Sequence, residues 1–227
     1  MSLPLSDRDE AVVRFVGTFR QVSASHIHAV VFEGVGAMPV SRALRRLVAS
    51  KYLIRVARRP ASLRGGSGAF VYALGLNGHK LCAREGYFYP LRSIHPHMLK
   101  VADVFVSFLE AERQGRVKVL HVALEQVVSP SVRADMHLEL GVIATKRKLS
   151  YFLEIDMGTE RPKLIEGKLD GYWQRATNSQ GHDPYVVFLV PDEYRLREIE
   201  RLLKRRQHYG LFSACLFDDV VAKCLGA

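Results

Sequence analysis

The chain has 227 residues, of which 48% are hydrophobic and 25% charged, enough to bury one large core or two small ones. No apolar run approaches the ~18 residues of a membrane span, and the first residues lack a signal-peptide pattern, so we expect no membrane segment. The three cysteines have no CxxC spacing, which excludes a zinc or disulfide framework and favours a cytoplasmic location.

The net charge of +10 is unevenly distributed. Residues 1–90 contain 13 Lys and Arg against 5 Asp and Glu, whereas residues 91–227 contain 20 against 18. No acidic residue lies between Glu33 and Glu85. Because ordinary surfaces mix both signs of charge, this stretch indicates a polyanion-binding surface, and nucleic acid is the commonest polyanion.

The N-terminal pattern predicts three helices followed by a β-hairpin. Ser6 caps a helix that runs to about Arg20, Ser23 begins a second, and Pro39 lies at the start of a third. Two β-like runs, LIRVARRP and AFVYALG, flank a Gly- and Ser-rich tip. This order is typical of a winged helix-turn-helix, in which the third helix enters the major groove and the hairpin contacts phosphates or the minor groove.

The residues expected to bind DNA lie on the third helix and the hairpin, and those on the hairpin are expected to position the protein rather than to specify sequence. The third-helix arginines do not look like core positions, so reversing Arg45 and Arg46 together is expected to leave the fold intact. The full set is Ser41, Arg42, Arg45, Arg46, Lys51, Arg55, Arg58, Arg59 and Arg64.

A second domain is predicted over residues 91–227, with the boundary near residue 90. A helix begins near His97, and three strand-like runs follow it up to LSYFLEIDMG. A helix with Pro162 in its first turn, the buried strand PYVVFLV and a long amphipathic helix come next, before a strand and a short helical tail. The alternation predicts an α/β (α+β) domain with a mixed sheet and helices on its faces.

Acidic residues of this domain converge on one part of the predicted sheet. Alternation in YFLEID places Glu154 and Asp156 on one face of a strand, with Asp135 on the neighbouring strand and Lys168 on the next helix. Such carboxylates repel one another unless they are protonated, paired with a cation or bridged by a metal. Mg²⁺ favours oxygen ligands of this kind, and a lysine could stabilise the charge of a phosphodiester undergoing cleavage. Alternatively, Asp156 and Glu160 cap the following helix while Glu154 pairs with Lys168 or an arginine.

The order of these segments resembles the replication-relaxation family of actinobacterial plasmids, phages and integrative elements. The resemblance covers nearly the whole chain, including the segments SRALRRLVASKYLIR, ADMHLEL and VVFLVPDEYRLREI, and its most specific part is EIDMGTE followed by Lys168 and Tyr172. It implies a winged helix fused to a domain similar to the PD-(D/E)XK nuclease fold, with a role in replication, plasmid relaxation or regulation of a mobile element.

The resemblance assigns Asp135 and Glu154 as metal-binding acids and Asp135, Glu154, Asp156 and Lys168 as catalytic candidates. The chain departs from the nuclease pattern because Asp156 stands where that pattern has lysine. Either Lys168 supplies the missing charge from the helix, or the site is degenerate and the fold is kept for DNA binding or dimerisation.

Three functions therefore stay open. The first is a double-stranded DNA-binding regulator or replication accessory, the second a Mg²⁺-dependent endonuclease, and the third an adaptor whose basic surface meets an acidic partner protein. A homodimer through the apolar positions of residues 98–113 or 192–207 is a further expectation.

Overall fold

The computed structural model describes residues 5–59, 68–178, 184–205 and 209–226. The chain divides into two compact units, Met1–Val106 and Ser107–Ala227, each with its own sheet. The expected mixed α+β class, with helices and a mixed sheet, is confirmed. The division into functional domains at residue 90 is a separate matter and stays a prediction.

The N-terminal unit is built from short helices around a three-stranded antiparallel sheet of order β1-β3-β2. Its helices are α1 (Asp7–Phe19), α2 (Ala24–Val31), α3 (Ala37–Ala49), α4 (Leu76–Leu81) and α5 (Pro96–Arg113), the last of which continues into the second unit, and its strands are β1 (Gln21–Ser23), β2 (Leu53–Arg58) and β3 (Phe70–Leu74).

The predicted caps of the first two helices are confirmed. The Ser6 hydroxyl accepts the Asp9 amide at 3.2 Å, and Ser23 forms a capping box with His26. Strand β1 was not predicted, because three residues are too few to show an alternating pattern; it exists through pairing with β3.

Helix α3 separates an apolar face from a basic one. Val40, Leu44 and Leu47 are buried with Ala43. At about 100° per residue, Arg45 lies at the centre of the opposite face. Arg46 lies at the edge of that face, on the side of α1.

The buried carboxylate of Asp9 fixes this edge of α3. A guanidinium nitrogen of Arg46 donates to both Asp9 oxygens, at 2.6 and 2.7 Å, and the Asp9 side chain is only 5% exposed. Reversing Arg45 and Arg46 together is therefore expected to cost stability at Arg46, because a glutamate there would face a buried acid; whether the chain stays folded remains a prediction.

The second unit contains a five-stranded mixed sheet of order β4-β5-β6-β7-β8. The first three strands are antiparallel, and β6, β7 and β8 are parallel. Its strands are β4 (Val117–Ser129), β5 (Val132–Val142), β6 (Arg147–Ile155), β7 (Tyr185–Val190) and β8 (Phe212–Leu216), and its helices after α5 are α6 (Pro162–Asn178), α7 (Glu193–Lys204) and α8 (Val220–Leu225). These bounds confirm the predicted succession of strands and helices.

Helices α6 and α7 contribute to one hydrophobic core on one face of this sheet. Phe152 of β6 and Phe188 of β7 belong to it together with apolar residues of both helices: Ile165, Leu169, Tyr172, Ile199 and Leu203. Tyr151 occupies the alternate position on β6, and its hydroxyl donates to the Cys224 carbonyl of α8 at 2.6 Å. The α8 helix therefore lies against the opposite face.

Gly171 allows α6 to approach the β4–β5 hairpin closely. A Cβ atom at this position would lie 2.4 Å from Cγ2 of Val132 and 2.8 Å from the Ser129 hydroxyl. The glycine thus sets the distance at which the neighbouring positions of α6 meet the sheet.

Within the described ranges, none of the helices combines the length and apolar character needed to cross a membrane.

The Asp9 contact predicts different outcomes for two adjacent arginines. Arg46→Glu should lower the free energy of unfolding by about 1–3 kcal/mol or more, because it leaves Asp9 buried without its charged hydrogen-bond donor. Arg45→Glu, at the exposed centre of the same helix, should stay within about 0.5 kcal/mol of wild type. Urea denaturation measures both, and equal losses would refute the assigned role of Arg46.

Candidate functional site

Glu154 is the centre of the carboxylate cluster in the second unit. It lies at the penultimate position of β6, and its side chain is 1% exposed. One carboxylate oxygen accepts the Tyr172 hydroxyl at 2.5 Å, and the other accepts the Lys168 ammonium at 2.8 Å. Because Lys168 and Tyr172 are four residues apart on α6, one face of this helix supplies both partners.

Lys168 joins two acids. Besides Glu154, its ammonium group donates to the Glu160 carboxylate at 2.7 Å. Burial by itself lowers the pKa of Lys168, but the charge of Glu154 and the hydrogen bonds to both acids raise that pKa above its ordinary value. Burial raises the pKa of Glu154 to about 7, and the nearby charge of Asp135 adds to the rise against the opposing effect of Lys168.

Asp135 ends the pairing between β5 and β6. The last paired residues there are Met136 and Leu153, and beyond them the Ile155 amide donates to the Asp135 carboxylate at 2.7 Å. A side chain thus takes the place of a backbone acceptor at the end of the ladder. The structure brings together Asp135, Glu154 and Lys168, as the sequence predicted.

Asp156 belongs to a different contact. It follows the end of β6, and its carboxylate accepts Nε of Arg195 from α7 at 2.6 Å and the Gly158 amide at 2.8 Å. Arg195 also donates to the Glu160 carbonyl at 2.6 Å. Asp156 is therefore bound by α7, whereas Lys168 is bound by Glu154 and Glu160.

Sequence reasoning missed Arg195. It is buried at the same helical face as Ile199 and Leu203, at positions four and eight residues apart. An arginine inside the apolar stripe of an amphipathic helix was the available signal, since a buried charge requires a partner.

The alternative interpretation of the acids is partly confirmed. Glu154 does pair with Lys168. The capping roles of Asp156 and Glu160 are wrong, because Asp156 bonds to Arg195 and Gly158, and the Glu160 carboxylate bonds to Lys168.

A magnesium ion does not fit these residues as they are arranged. Both oxygens of Glu154 and both of Asp156 accept hydrogen bonds from protein donors, as does one oxygen of Asp135. Among the residues that the structure describes, no three His, Cys, Asp or Glu side chains form a group that could hold a metal. A metal ligand set would require Lys168 to leave Glu154.

The basic N-terminal candidates form a second candidate site. Ser41, Arg42 and Arg45 are exposed on α3, and so is Arg46, although Asp9 binds it. Ser41 also lines a cavity of about 280 Å³, together with Ser25 and His28 of α2 and Phe70 of β3. The cavity therefore lies where α2, α3 and β3 meet, and Val40 and Leu44 of the apolar face of α3 also line it.

Two hairpin arginines are held over the Phe70 ring. The guanidinium carbon of Arg55 lies 4.4 Å from the ring centroid and that of Arg58 lies 4.0 Å from it. Arg58 also donates to the Gly68 carbonyl at 3.1 Å. Both side chains stay exposed, so the stacking places two positive charges beside the cavity without removing them from water.

Arg59 forms an ion pair within the N-terminal unit. Its two terminal nitrogens donate to the two Asp103 oxygens of α5 at 2.8 and 2.6 Å. Asp103 also contacts Nε2 of the buried His26 at 2.7 Å. Although burial acts in the opposite direction, the hydrogen bonds from Arg59 and His26 hold the pKa of Asp103 well below its usual value.

Two further candidates complete the set. Lys51 is exposed in the turn after α3, with a positive φ of 57°. Arg64 lies outside the described residues.

The fold and the two sites define a two-unit α+β protein with a basic helix-and-hairpin unit and an ion-paired acidic cluster on a mixed sheet. A family model described as replication-relaxation matches residues 13–188, so the chain belongs to the replication-relaxation family. Membership implies a role in the replication of a plasmid or other mobile element. Searches of curated proteins and of solved structures gave no match.

The raised pKa of Glu154 predicts a pH dependence of stability. Between about pH 4.5 and 7 the folded chain retains a proton on Glu154 that the unfolded chain releases. The free energy of unfolding should therefore decrease as the pH rises through this window. Glu154→Gln removes the titrating group, and the decrease should become smaller.

Urea titrations at several pH values measure this effect. Glu166→Gln changes a carboxyl group elsewhere on α6 and should keep the wild-type decrease. An unchanged pH profile in Glu154→Gln would contradict the assignment.

Proposed function

We propose that the protein binds double-stranded DNA in the replication of a mobile element or in its regulation, through an N-terminal winged helix-turn-helix within residues 1–90. The observation that carries the proposal is that exposed arginines lie both on α3 and on the hairpin of one unit, with Arg55 and Arg58 held over the Phe70 ring. The order helix, strand, two helices and hairpin supports the fold assignment.

In this proposal α3 enters the major groove. Arg45 and Arg42 face outward and have the donor geometry to contact guanine edges or phosphates. Arg55 and Arg58 approach the phosphate backbone from the hairpin, where they position the protein without reading sequence. Arg46 and Arg59 act indirectly, because Asp9 and Asp103 already bind them.

For residues 91–227 we propose a domain similar to the PD-(D/E)XK nuclease fold that serves assembly or DNA binding rather than cleavage. The placement of Asp135 and Glu154 on adjacent strands beside Lys168 supports the likeness. The ion pairs of Glu154 and Asp156 favour a structural use of the acids.

A metal-dependent endonuclease is the second candidate function. The proximity of Asp135, Glu154 and Lys168 favours it, whereas the hydrogen bonds that occupy the Glu154 oxygens oppose it. A cytoplasmic location and a homodimer through residues 98–113 or 192–207 remain proposals; analytical ultracentrifugation tests the latter.

The DNA proposal predicts that Arg42→Glu combined with Arg45→Glu weakens duplex binding by more than about tenfold. Fluorescence anisotropy with a labelled duplex measures the loss. In wild type, log K should fall with log salt by about 0.9 for each phosphate neutralised, and the double variant should show a shallower slope.

Arg197→Glu, an exposed arginine on α7, is the matched control and should bind nearly as wild type does. Circular dichroism checks that both variants are folded. Unchanged duplex affinity in the folded Arg42/Arg45 variant would show that α3 is not the DNA-binding helix.

The variant Lys168→Ala distinguishes a structural role of the acidic cluster from a metal-binding role. In wild type Mg²⁺ should hardly change the melting temperature, because protein donors occupy the carboxylates. Removing the lysine leaves Asp135 and Glu154 facing each other, so Mg²⁺ should then stabilise the folded state by mass action. Lys163→Ala, an exposed lysine of α6, should behave as wild type.

Nicking of supercoiled plasmid provides the second readout. We expect no Mg²⁺- or Mn²⁺-dependent nicking by wild type. Nicking that is lost in Glu154→Gln would make the protein an endonuclease.

A further inference from the structure

The connection between α4 and α5 presents two exposed tyrosines. Tyr87 is 88% and Tyr89 is 79% exposed, whereas Phe88 between them turns inward against the His79 ring, with the centroids 5.7 Å apart. Large aromatic side chains usually bury most of their area in a folded protein. Two tyrosines that are this exposed within three residues indicate a surface that binds a ligand.

Hydrogen bonds to the rest of the unit hold both ends of this connection. At its start, Arg84 donates to the Gly17 carbonyl in the last turn of α1. At its end, the fully buried Gln21 donates to the Ser93 carbonyl at 2.7 Å and accepts the His95 amide at 2.8 Å. With Phe88 packed on His79 between these anchors, the two tyrosines are presented on an ordered support.

The surface is basic as well as aromatic. A cavity of about 390 Å³ is lined by both tyrosines, Phe88, His79, Arg20 and Arg84. Glu85 is the acidic side chain in that lining. Arg20 is exposed and makes no ion pair with the described part of the chain, and its φ of 63° lies in a region that L-residues rarely adopt.

We propose that this tyrosine platform (Tyr87 and Tyr89 with Arg20 and Arg84) binds single-stranded nucleic acid. Bases stack on the tyrosine rings, and the arginines contact the phosphates between them. Exposed aromatic rings combined with cations along a groove are the standard arrangement for binding single strands without sequence preference.

The geometry favours bases over a flat protein partner. Residues two apart have Cα atoms at most about 7 Å apart, so rings that point the same way can hold neighbouring bases of one strand or one base between them. The lining of the platform includes none of the proposed duplex-binding arginines, which are Arg42, Arg45, Arg55 and Arg58. The platform is thus separate from the proposed duplex-binding surface, and the inference goes beyond it.

The test compares two labelled strands of about 10 nucleotides, a length within the range that such sites cover. One is oligothymidylate, and the other is an abasic strand with the same number of phosphates. Wild type should bind oligothymidylate at least about tenfold more tightly, because phosphate contacts anywhere on the basic unit are common to both strands. An equal-length oligouridylate shows whether DNA or RNA is preferred.

Tyr87→Ala with Tyr89→Ala should abolish the preference for the strand with bases, and Tyr87→Phe with Tyr89→Phe should retain it, since stacking needs the ring and not the hydroxyl. Tyr194→Ala is the matched control, because Tyr194 is 72% exposed in the other unit. Duplex affinity should be unchanged in the alanine variant, whereas the Arg42/Arg45 reversal should leave the base preference intact.

Equal affinity of wild type for both strands, or an undiminished preference in the alanine variant, would overturn the proposal and leave the platform as a protein contact. Loss of the preference in the phenylalanine variant would overturn the stacking mechanism. Neither result would bear on duplex binding, so this proposal and the proposed function fail independently.

Discussion

The fold of both units depends on neutralising carboxylates that are buried with the core. The described chain buries three acids, Asp9, Glu154 and Asp156. Each is bound by a cation from a later helix, 37, 14 and 39 positions away, respectively. A buried charge without a partner costs several kcal/mol, so these contacts restrict where α3, α6 and α7 can pack.

In the second unit, the contacts that stabilise the fold oppose metal binding by the same carboxylates. Hydrophobic contacts would allow α6 to slide along the sheet, but Glu154 requires both Lys168 and Tyr172 from one helical face. The oxygens that would ligate a metal are the ones that fix the helix. An ion could enter only after Lys168 withdrew, and Glu160 alone would then hold the lysine. The acidic cluster therefore stabilises the packing of α6 on the sheet. Any chemistry at the cluster requires these contacts to rearrange.

The sequence predicted those features that depend on the periodicity of strands and helices. Alternation along YFLEID and the following helical pattern were sufficient to bring Asp135, Glu154 and Lys168 together, because strand register and helix phase are local properties. The contacts of Arg46, Arg59 and Arg195 could not be predicted in this way. An amphipathic pattern shows which face of a helix is buried, but the partner of a charge lies on an element whose position only the tertiary fold determines.

The basic N-terminal unit contains two kinds of arginine that the sequence composition does not distinguish. Some are exposed to solvent, and others are bound by a carboxylate. Arg45, Arg55 and Arg58 remain exposed, and Phe70 orders two of them without neutralising them. Arg46 and Arg59 are bound by Asp9 and Asp103, and the Asp103 contact joins the end of β2 to α5 and to His26 of α2. Loss of DNA binding on replacing Arg46 or Arg59 would therefore report a displaced helix or hairpin, whereas the same loss at Arg45 would report a missing contact.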